Sequence, residues 1–252
     1  MADPLPDLSD RLVVVTGASR GIGYFVAKTA AAQGAHVVAL ARTVGGLEEL
    51  DDEIKSGGVG GATLVPLDVT DGPGIDRLGA ALAERWGRCD AMIANAGVLG
   101  TISPIGHIEA KVWENVMAVN VTAVWRLART LEPLLHRTEN SRALLLSSGA
   151  AHSCKPFWGA YAASKAAVEA MARVWAKESE RTPLRVNCVN PGATRTQMRA
   201  KAMPGEDPST LPEPADVARS IVALLDPAID RNGDIYDVRS QRWLGYAMPE
   251  PV

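Results

Sequence analysis

The sequence predicts a doubly wound α/β fold: one parallel sheet of about seven strands flanked by helices, with all 252 residues in a single domain. Two observations carry this. Short β-branched or aliphatic runs recur between longer helical stretches, and these runs are apolar throughout rather than alternating. Such strands are buried on both faces, as in a parallel sheet. The runs also alternate strictly with helical patterns, and consecutive parallel strands then need right-handed crossovers.

The elements follow in order. RLVVVTG (11–17) is the first strand, and a glycine turn leads from it into a helix over 22–33. HVVALAR (36–42) precedes a helix over 45–55, whose EELDDEIK segment is a solvated face. ATLVPLD (62–68) precedes 73–86, and CDAMIANAG (89–97) precedes one long helix over 111–136. RALLLSS (142–148) leads to the helix 159–181, and LRVNCVNPG (184–192) to 214–225. DIYDV (234–238) is a weaker seventh strand. The one proline cluster, MPGEDPSTLPEP (203–214), reads as a flap beside the site rather than a domain boundary.

Composition narrows the function. The net charge is −3 with no basic block, which argues against nucleic acid and charged membrane surfaces as partners. Apolar runs such as LVVV and ALLL fall far short of the roughly 18 residues of a membrane span. The opening MADPLPDLSD does not read as a signal peptide. Cys89, Cys154 and Cys188 lack metal-ligand spacing, so no metal is expected and a reducing cytoplasm fits.

In a doubly wound sheet, ligands bind beyond the carboxyl ends of the strands. Those ends carry Gly17-Ala18-Ser19-Arg20-Gly21-Ile22-Gly23, Arg42, Asp68-Val69, Asn95-Ala96-Gly97, Ser147-Ser148 and Asn190-Pro191-Gly192. Glycines between a strand and a helix let the backbone approach a ligand, and the helix start offers free N–H groups to a pyrophosphate. The spacing is GxxxGxG, not the GxGxxG of many dinucleotide sites. On the alanine-rich helix, Tyr161 and Lys165 are four residues apart and so project to one side.

These residues together resemble the short-chain dehydrogenase/reductase family. The resemblance runs from about residue 11 to residue 225 and rests on TGASRGIG (16–23), Asp68-Val69, Asn95-Ala96-Gly97, Asn120, Ser148, Tyr161-Ala-Ala-Ser-Lys165, and Pro191-Gly192 followed by Thr196. Ser148 lies 13 positions before Tyr161, the family's spacing, which selects it over Ser147. The chain resembles a bacterial branch of small oxidoreductases with no assigned substrate. The resemblance implies a Rossmann fold and hydride transfer between a nicotinamide cofactor and a carbonyl or secondary alcohol. Tyr161 is then the general acid/base, Lys165 tunes it and binds the nicotinamide ribose, Ser148 donates to the carbonyl oxygen, and Asn120 holds a water in a proton relay. Asp68 would accept from the adenine amino group with Val69 assisting. Asn95 and Gly97 would support the ribose, and Thr196 would hold the carboxamide. Ser19, Ile22, Ala96, Pro191, Gly192 and Thr194 complete the cofactor set.

Cofactor choice turns on the end of the second strand, where NAD-preferring members carry a carboxylate. Here Ala41-Arg42 stands there, and Arg20 lies in the glycine turn, so two guanidiniums are expected to clamp a 2′-phosphate and NADP(H) is preferred over NAD(H). An NADP(H) sensor without catalysis and a 3-oxoacyl-carrier-protein reductase are the alternatives. The segment 197–214 is short for the family's lid, and the tail NGDIYDVRSQRW is unusual. His152 and Cys154 are expected to line a substrate wall or the surface, with Trp158 facing substrate. Apolar residues beyond what one sheet face can bury, Ala118, Val121, Val124 and Leu127 on 111–136 and Ala163, Ala166, Ala167, Ala170 and Val174 on 159–181, predict a homodimer or homotetramer through these helices.

Overall fold

Alternate residues of the first strand, β1 (Leu12–Thr16), serve two different cores in the computed structural model, which describes residues 5–246. Leu12 and Val14 point to one face and Val13 and Val15 to the other, as a side-chain period of two requires. Both faces are apolar because both are covered. Helices α1 (Gly21–Ala32), α2 (Val44–Gly57) and α9 (Pro214–Ala223) bury one side, with Val26, Leu47 and Val217 fully or almost fully enclosed. Helices α3 (Gly72–Arg85), α5 (Ala123–Leu135) and α7 (Gly159–Glu178) bury the other through Ile75, Leu127 and Val168.

The remaining strands are β2 (His36–Ala41), β3 (Gly61–Pro66), β4 (Ala91–Ala94), β5 (Arg142–Leu146), β6 (Arg185–Asn190), β7 (Ile235–Asp237) and β8 (Arg242–Leu244). Their order across the sheet is β3-β2-β1-β4-β5-β6-β7-β8. Neighbours from β3 to β7 run parallel, with β1 aligning Val14 to Val38 on one side and to Met92 on the other. The winding reverses between β1 and β4. A crevice opens at that point, and the glycine turn after β1 lies in it.

Two expectations need correction. The sheet among the described residues has eight strands, not about seven, and the eighth is antiparallel. Asp237 bends the chain back by accepting from the Ser240 amide and hydroxyl, Gln241 takes a left-handed φ of 54°, and Trp243 packs edge-on against Tyr236. The helix expected over 111–136 is α4 (Ala110–Met117) and α5 joined by a π-helical segment, Ala118–Thr122, in which the Ala123 amide donates to the Ala118 carbonyl five residues back. Such a widened turn re-aims the residues it contains. Val119 and Asn120 are the buried ones. The segment read as a short lid, 197–214, opens with helix α8 (Gln197–Ala202), and the expected flap within it, 203–214, holds a 3-10 turn, Pro208–Thr210. A one-turn helix, α6 (Ala150–Ser153), follows β5.

Caps set the ends of several helices. The Asp71 side chain accepts from the Gly74 amide with Pro73 in the first turn of α3, and Thr196 accepts from the Arg199 amide to start α8. Helix α1 starts at Arg20 with no side-chain cap and no acid in its first turn.

The glycine turn is held by close packing. A Cβ on Gly23 would come within 2.3 Å of Asn95 Nδ2 and 2.4 Å of the Gly17 carbonyl oxygen. Gly23→Ala is therefore expected to lower stability in urea unfolding by about 2–3 kcal/mol, the cost of overpacking a rigid contact. Gly57→Ala, where a Cβ would meet nothing within 4 Å, is the control and leaves stability unchanged or slightly raised.

Candidate active site

The residues expected to act together converge at the carboxyl ends of β1, β4, β5 and β6. Gly17 and Gly21 have φ of 69° and 59°, left-handed values that favour glycine. Asn95, just after β4, donates through Nδ2 to the Thr16 carbonyl at 2.9 Å and to the Gly17 carbonyl at 3.4 Å. Thr16 answers by accepting from the Asn95 and Ala96 amides at 3.1 and 3.0 Å. The Asn95 side chain is thus occupied in tying the glycine turn to β4. Thr16 escaped the sequence reading, although a hydroxyl ending an otherwise aliphatic strand was its signal.

The two arginines expected at the 2′-phosphate make contacts within the chain. Arg20 donates to Gln197 Oε1 at 3.1 Å, and Arg42 pairs with Asp68 at 3.6 Å. Both arginines are exposed, and such surface contacts contribute about 0–1 kcal/mol. Asp68 takes the Thr70 amide and hydroxyl on Oδ1 at 2.9 and 2.8 Å. Burial pushes its carboxyl up, but the Thr70 hydrogen bonds and the Arg42 charge outweigh this and leave it below the usual carboxylate range. Val69 is buried.

These residues fit a phosphate-bearing dinucleotide. The α1 N-terminus is uncapped, two left-handed glycines expose backbone beside it, and no carboxylate stands at Ala41-Arg42. At the far end, Thr196 lies over Gly21, where a Cβ would sit 3.6 Å from its methyl group. Thr194 is buried, with its hydroxyl 3.5 Å from the Pro191 and Gly192 carbonyls, and Gly192 has φ of 72°. Ser19 and Ile22 are partly covered within the same turn.

Lys165 is buried, and its Nζ donates to the Leu146 carbonyl, the last of β5, at 2.6 Å. Burial pulls its pKa down to about 8, with Cys188 and the Glu169 carboxylate opposing the fall. The ammonium lies 5.7 Å from the centre of the Tyr161 ring. Tyr161 itself is not shifted in the expected direction. Burial raises its phenol above the ordinary value, and only the hydrogen bond with Ser148 works against this.

Asn120 is fully buried and fully used. It accepts from the Val98 amide at 2.8 Å and donates to the Val98 carbonyl at 2.9 Å and to Ser164 Oγ at 3.0 Å. Gly97 fits between it and the lysine: a Cβ there would lie 3.4 Å from Asn120 Oδ1 and 3.7 Å from Lys165 Nζ. Its amide is a brace between the loop after β4 and the helix of the tyrosine.

Asn190, named at its strand end without a role, accepts from the Gly149 and Gly192 amides at 3.0 and 3.2 Å and donates to Asp237 at 2.7 Å. Its place before Pro191-Gly192 was the available signal. Trp158 meets Tyr161 edge-on at 6.0 Å. Cys154 is exposed and lines a groove of about 540 Å³ with Ile105, Phe157 and Ala163. His152 is exposed, and its Nε2 lies 2.9 Å from Glu169 Oε2. Among the described residues no group of three or more His, Cys, Asp or Glu side chains could hold a metal, and no helix is long and apolar enough to cross a membrane.

Comparison with known proteins gives concordant matches. Residues 11–207 match the short chain dehydrogenase family. The uncharacterized oxidoreductase YciK of Escherichia coli K12 is 38% identical over 238 residues, which cover 93% of this chain and 94% of YciK. A short chain dehydrogenase structure from Salmonella enterica serovar Typhi CT18 superposes with a TM-score of 0.88 at 37% identity, covering 94% of this chain and 99% of that one. A structure from Escherichia coli CFT073, described as a complex with NADPH, gives a TM-score of 0.87 at 38% identity, covering 94% and 100%.

Proposed function

The chain belongs to the short-chain dehydrogenase family, and on that premise we propose that it is an NADP(H)-dependent oxidoreductase acting on a carbonyl compound or the corresponding secondary alcohol. The observation that carries the reading is the convergence of Ser148, Tyr161 and Lys165 at the strand ends beside an uncapped glycine-rich helix start. When bound, NADP(H) supplies or takes up the hydride.

The chain's own groups handle charge and the proton. Reduction of a carbonyl leaves negative charge on its oxygen. The Ser148 hydroxyl would donate to that oxygen, an interaction that strengthens as charge develops. Tyr161 would pass its proton to the same oxygen, and the Lys165 ammonium would stabilise the phenolate left behind. Burial disfavours that phenolate, so the lysine must be charged when the proton moves. Lys165 Nζ, free to exchange its Leu146 carbonyl for another acceptor, would also hold the nicotinamide ribose. Asn120 would support the relay by fixing the Val98 loop and Ser164, and Thr196 would reach the carboxamide. Arg20 and Arg42 would leave their weak partners for the 2′-phosphate, and Asp68 with Val69 would meet the adenine. The NADPH complex described for the Escherichia coli CFT073 relative supports this choice of cofactor. Cys89, Cys154 and Cys188 are all free thiols, which suits the cytoplasm.

Assembly belongs to the same proposal. Val124 and Leu127 are spent inside the chain, but Trp125 on α5 and Ala163, Ala166, Ala170 and Val174 on α7 are exposed. These small and apolar residues suit a two-fold helix pairing.

Three measurements test the proposal. Consumption of NADPH against a panel of aldehydes and ketones is expected for the unmutated protein. Tyr161→Phe should reduce it by about 100-fold or more while NADPH still binds, and a residual rate above about a tenth would remove the general-acid role. Arg42→Asp should weaken NADPH binding by about tenfold or more, read by fluorescence, and leave NADH affinity nearly unchanged. Equal affinity of the unmutated protein for both would contradict the preference. Light scattering at micromolar protein with NADPH should give at least a dimer, and a single 26.6 kDa species would overturn the assembly.

A further inference from the structure

Behind the catalytic lysine lies a polar cluster, buried at Ser147 and Glu169 and open to solvent at His152, for which the proposed reaction has no use. Glu169 is one turn beyond Lys165 on α7 and is only 4% exposed. Ser147, at the end of β5, donates to its Oε1 at 2.5 Å. His152 Nε2 on α6 lies 3.1 Å from Oε1 and 2.9 Å from Oε2. A buried carboxylate is costly unless its oxygens are hydrogen-bonded, and both oxygens of this one have a partner within reach.

The placement of its partners gives it a role. Ser147 immediately precedes Ser148, and His152 follows it by four residues. Glu169 thus holds both ends of the short segment that carries the substrate-facing hydroxyl. Main-chain bonds fix the same segment from the other side, where the Ser147 amide donates to the Val189 carbonyl at 2.8 Å and the Gly149 amide to Asn190 at 3.0 Å. Helix α7, to which Glu169 ties this segment, also carries Tyr161 and Lys165.

From this geometry we infer that Glu169 is a positioning residue of the active site, clamping the Ser148 segment to the helix of Tyr161 and Lys165 and keeping the Lys165 ammonium charged in its buried setting. The inference rests on the oxidoreductase reading for its purpose, though not for its test.

The charged and titratable surroundings are defined. Tyr161, Lys165 and Arg173 share α7 with Glu169, His152 approaches from α6, Cys188 from β6, and Tyr246 from the tail. The Arg173 guanidinium stacks 4.2 Å from the centre of the Tyr246 ring. Burial, then the Glu169 charge, pushes the Cys188 thiol up to about 12, so it stays neutral. Burial likewise keeps the Tyr246 phenol neutral. Glu169 is therefore the negative charge that favours protonated Lys165, and removing it lets desolvation lower the lysine further.

The test uses cofactor-free protein labelled with [13C]lysine, in which the Lys165 side-chain signal is assigned with Lys165→Met and titrated. Glu169→Gln keeps the shape and an acceptor for Ser147 but removes the charge. It is expected to lower the Lys165 midpoint by about one pH unit or more, the size expected for loss of a nearby opposite charge. An unchanged midpoint in the folded variant overturns the inference. Should that variant not fold, the unmutated protein carrying 13C-labelled glutamate decides: the Glu169 carboxyl carbon must shift at the Lys165 midpoint, and Lys165→Met must erase the step. Absence of the step overturns the inference equally. With a turned-over carbonyl substrate, Glu169→Gln moves the alkaline limb of kcat down by the same interval. Ser147→Ala, which keeps both charges, lowers kcat several-fold without moving the limb, and an undiminished kcat rules out the clamp. If the unmutated protein turns over no carbonyl compound, the oxidoreductase reading fails while the titration still judges Glu169.

Discussion

The site depends on keeping one ammonium group away from water. Lys165 is buried between α7 and the end of β5, and a charge so placed needs oxygen ligands and a nearby negative charge. The surrounding residues follow from that need. The Leu146 carbonyl is free to accept because β5 stops there, and Gly97 supplies room that a side chain would fill. Burial pulls the Lys165 pKa down and the Glu169 charge opposes that fall, which links the cluster behind the lysine to the chemistry in front.

The cofactor side and the acid side meet in the four residues after β4. Asn95 fixes the glycine turn through Thr16 and Gly17, and Val98 is fixed by Asn120, whose amide also holds Ser164 on α7. A shift in this loop would move the dinucleotide turn and the tyrosine helix together. The π-helical segment serves the same end, since it carries the buried Asn120. Hydrogen bonds to buried partners, rather than long side chains reaching into solvent, set the spacing on both sides. Such preorganisation reduces the reorganisation that proton transfer requires.

Much of this was legible in the sequence, and the exceptions have physical causes. Strand positions follow from apolar runs, and seven of the eight strands lie where those runs predict. The eighth did not register because RWL is three residues long and its pairing depends on a side-chain turn at Asp237. Residue pattern placed Asn120 inside a helix but not inside a π segment, because that segment depends on a tertiary partner, Val98. Arg20 meets Gln197, 177 positions away, and no local pattern announces such a pair. Spacing put Lys165 beside Tyr161, yet the direction of the tyrosine's shift depends on burial, which spacing does not report. Glu169 looked like one polar residue on an alanine helix until its neighbours showed it to be enclosed.

The central claim is that this arrangement moves a hydride to a carbonyl carbon while Tyr161 provides the proton. The most direct measurement supplies NADPH deuterated at C4 together with a carbonyl compound and analyses the product by mass spectrometry and NMR. The account predicts an alcohol with deuterium on its carbinol carbon and a solvent-derived proton on its oxygen. NADPH oxidised with no deuterium in the alcohol, or no oxidation with any aldehyde or ketone of the panel, would contradict it.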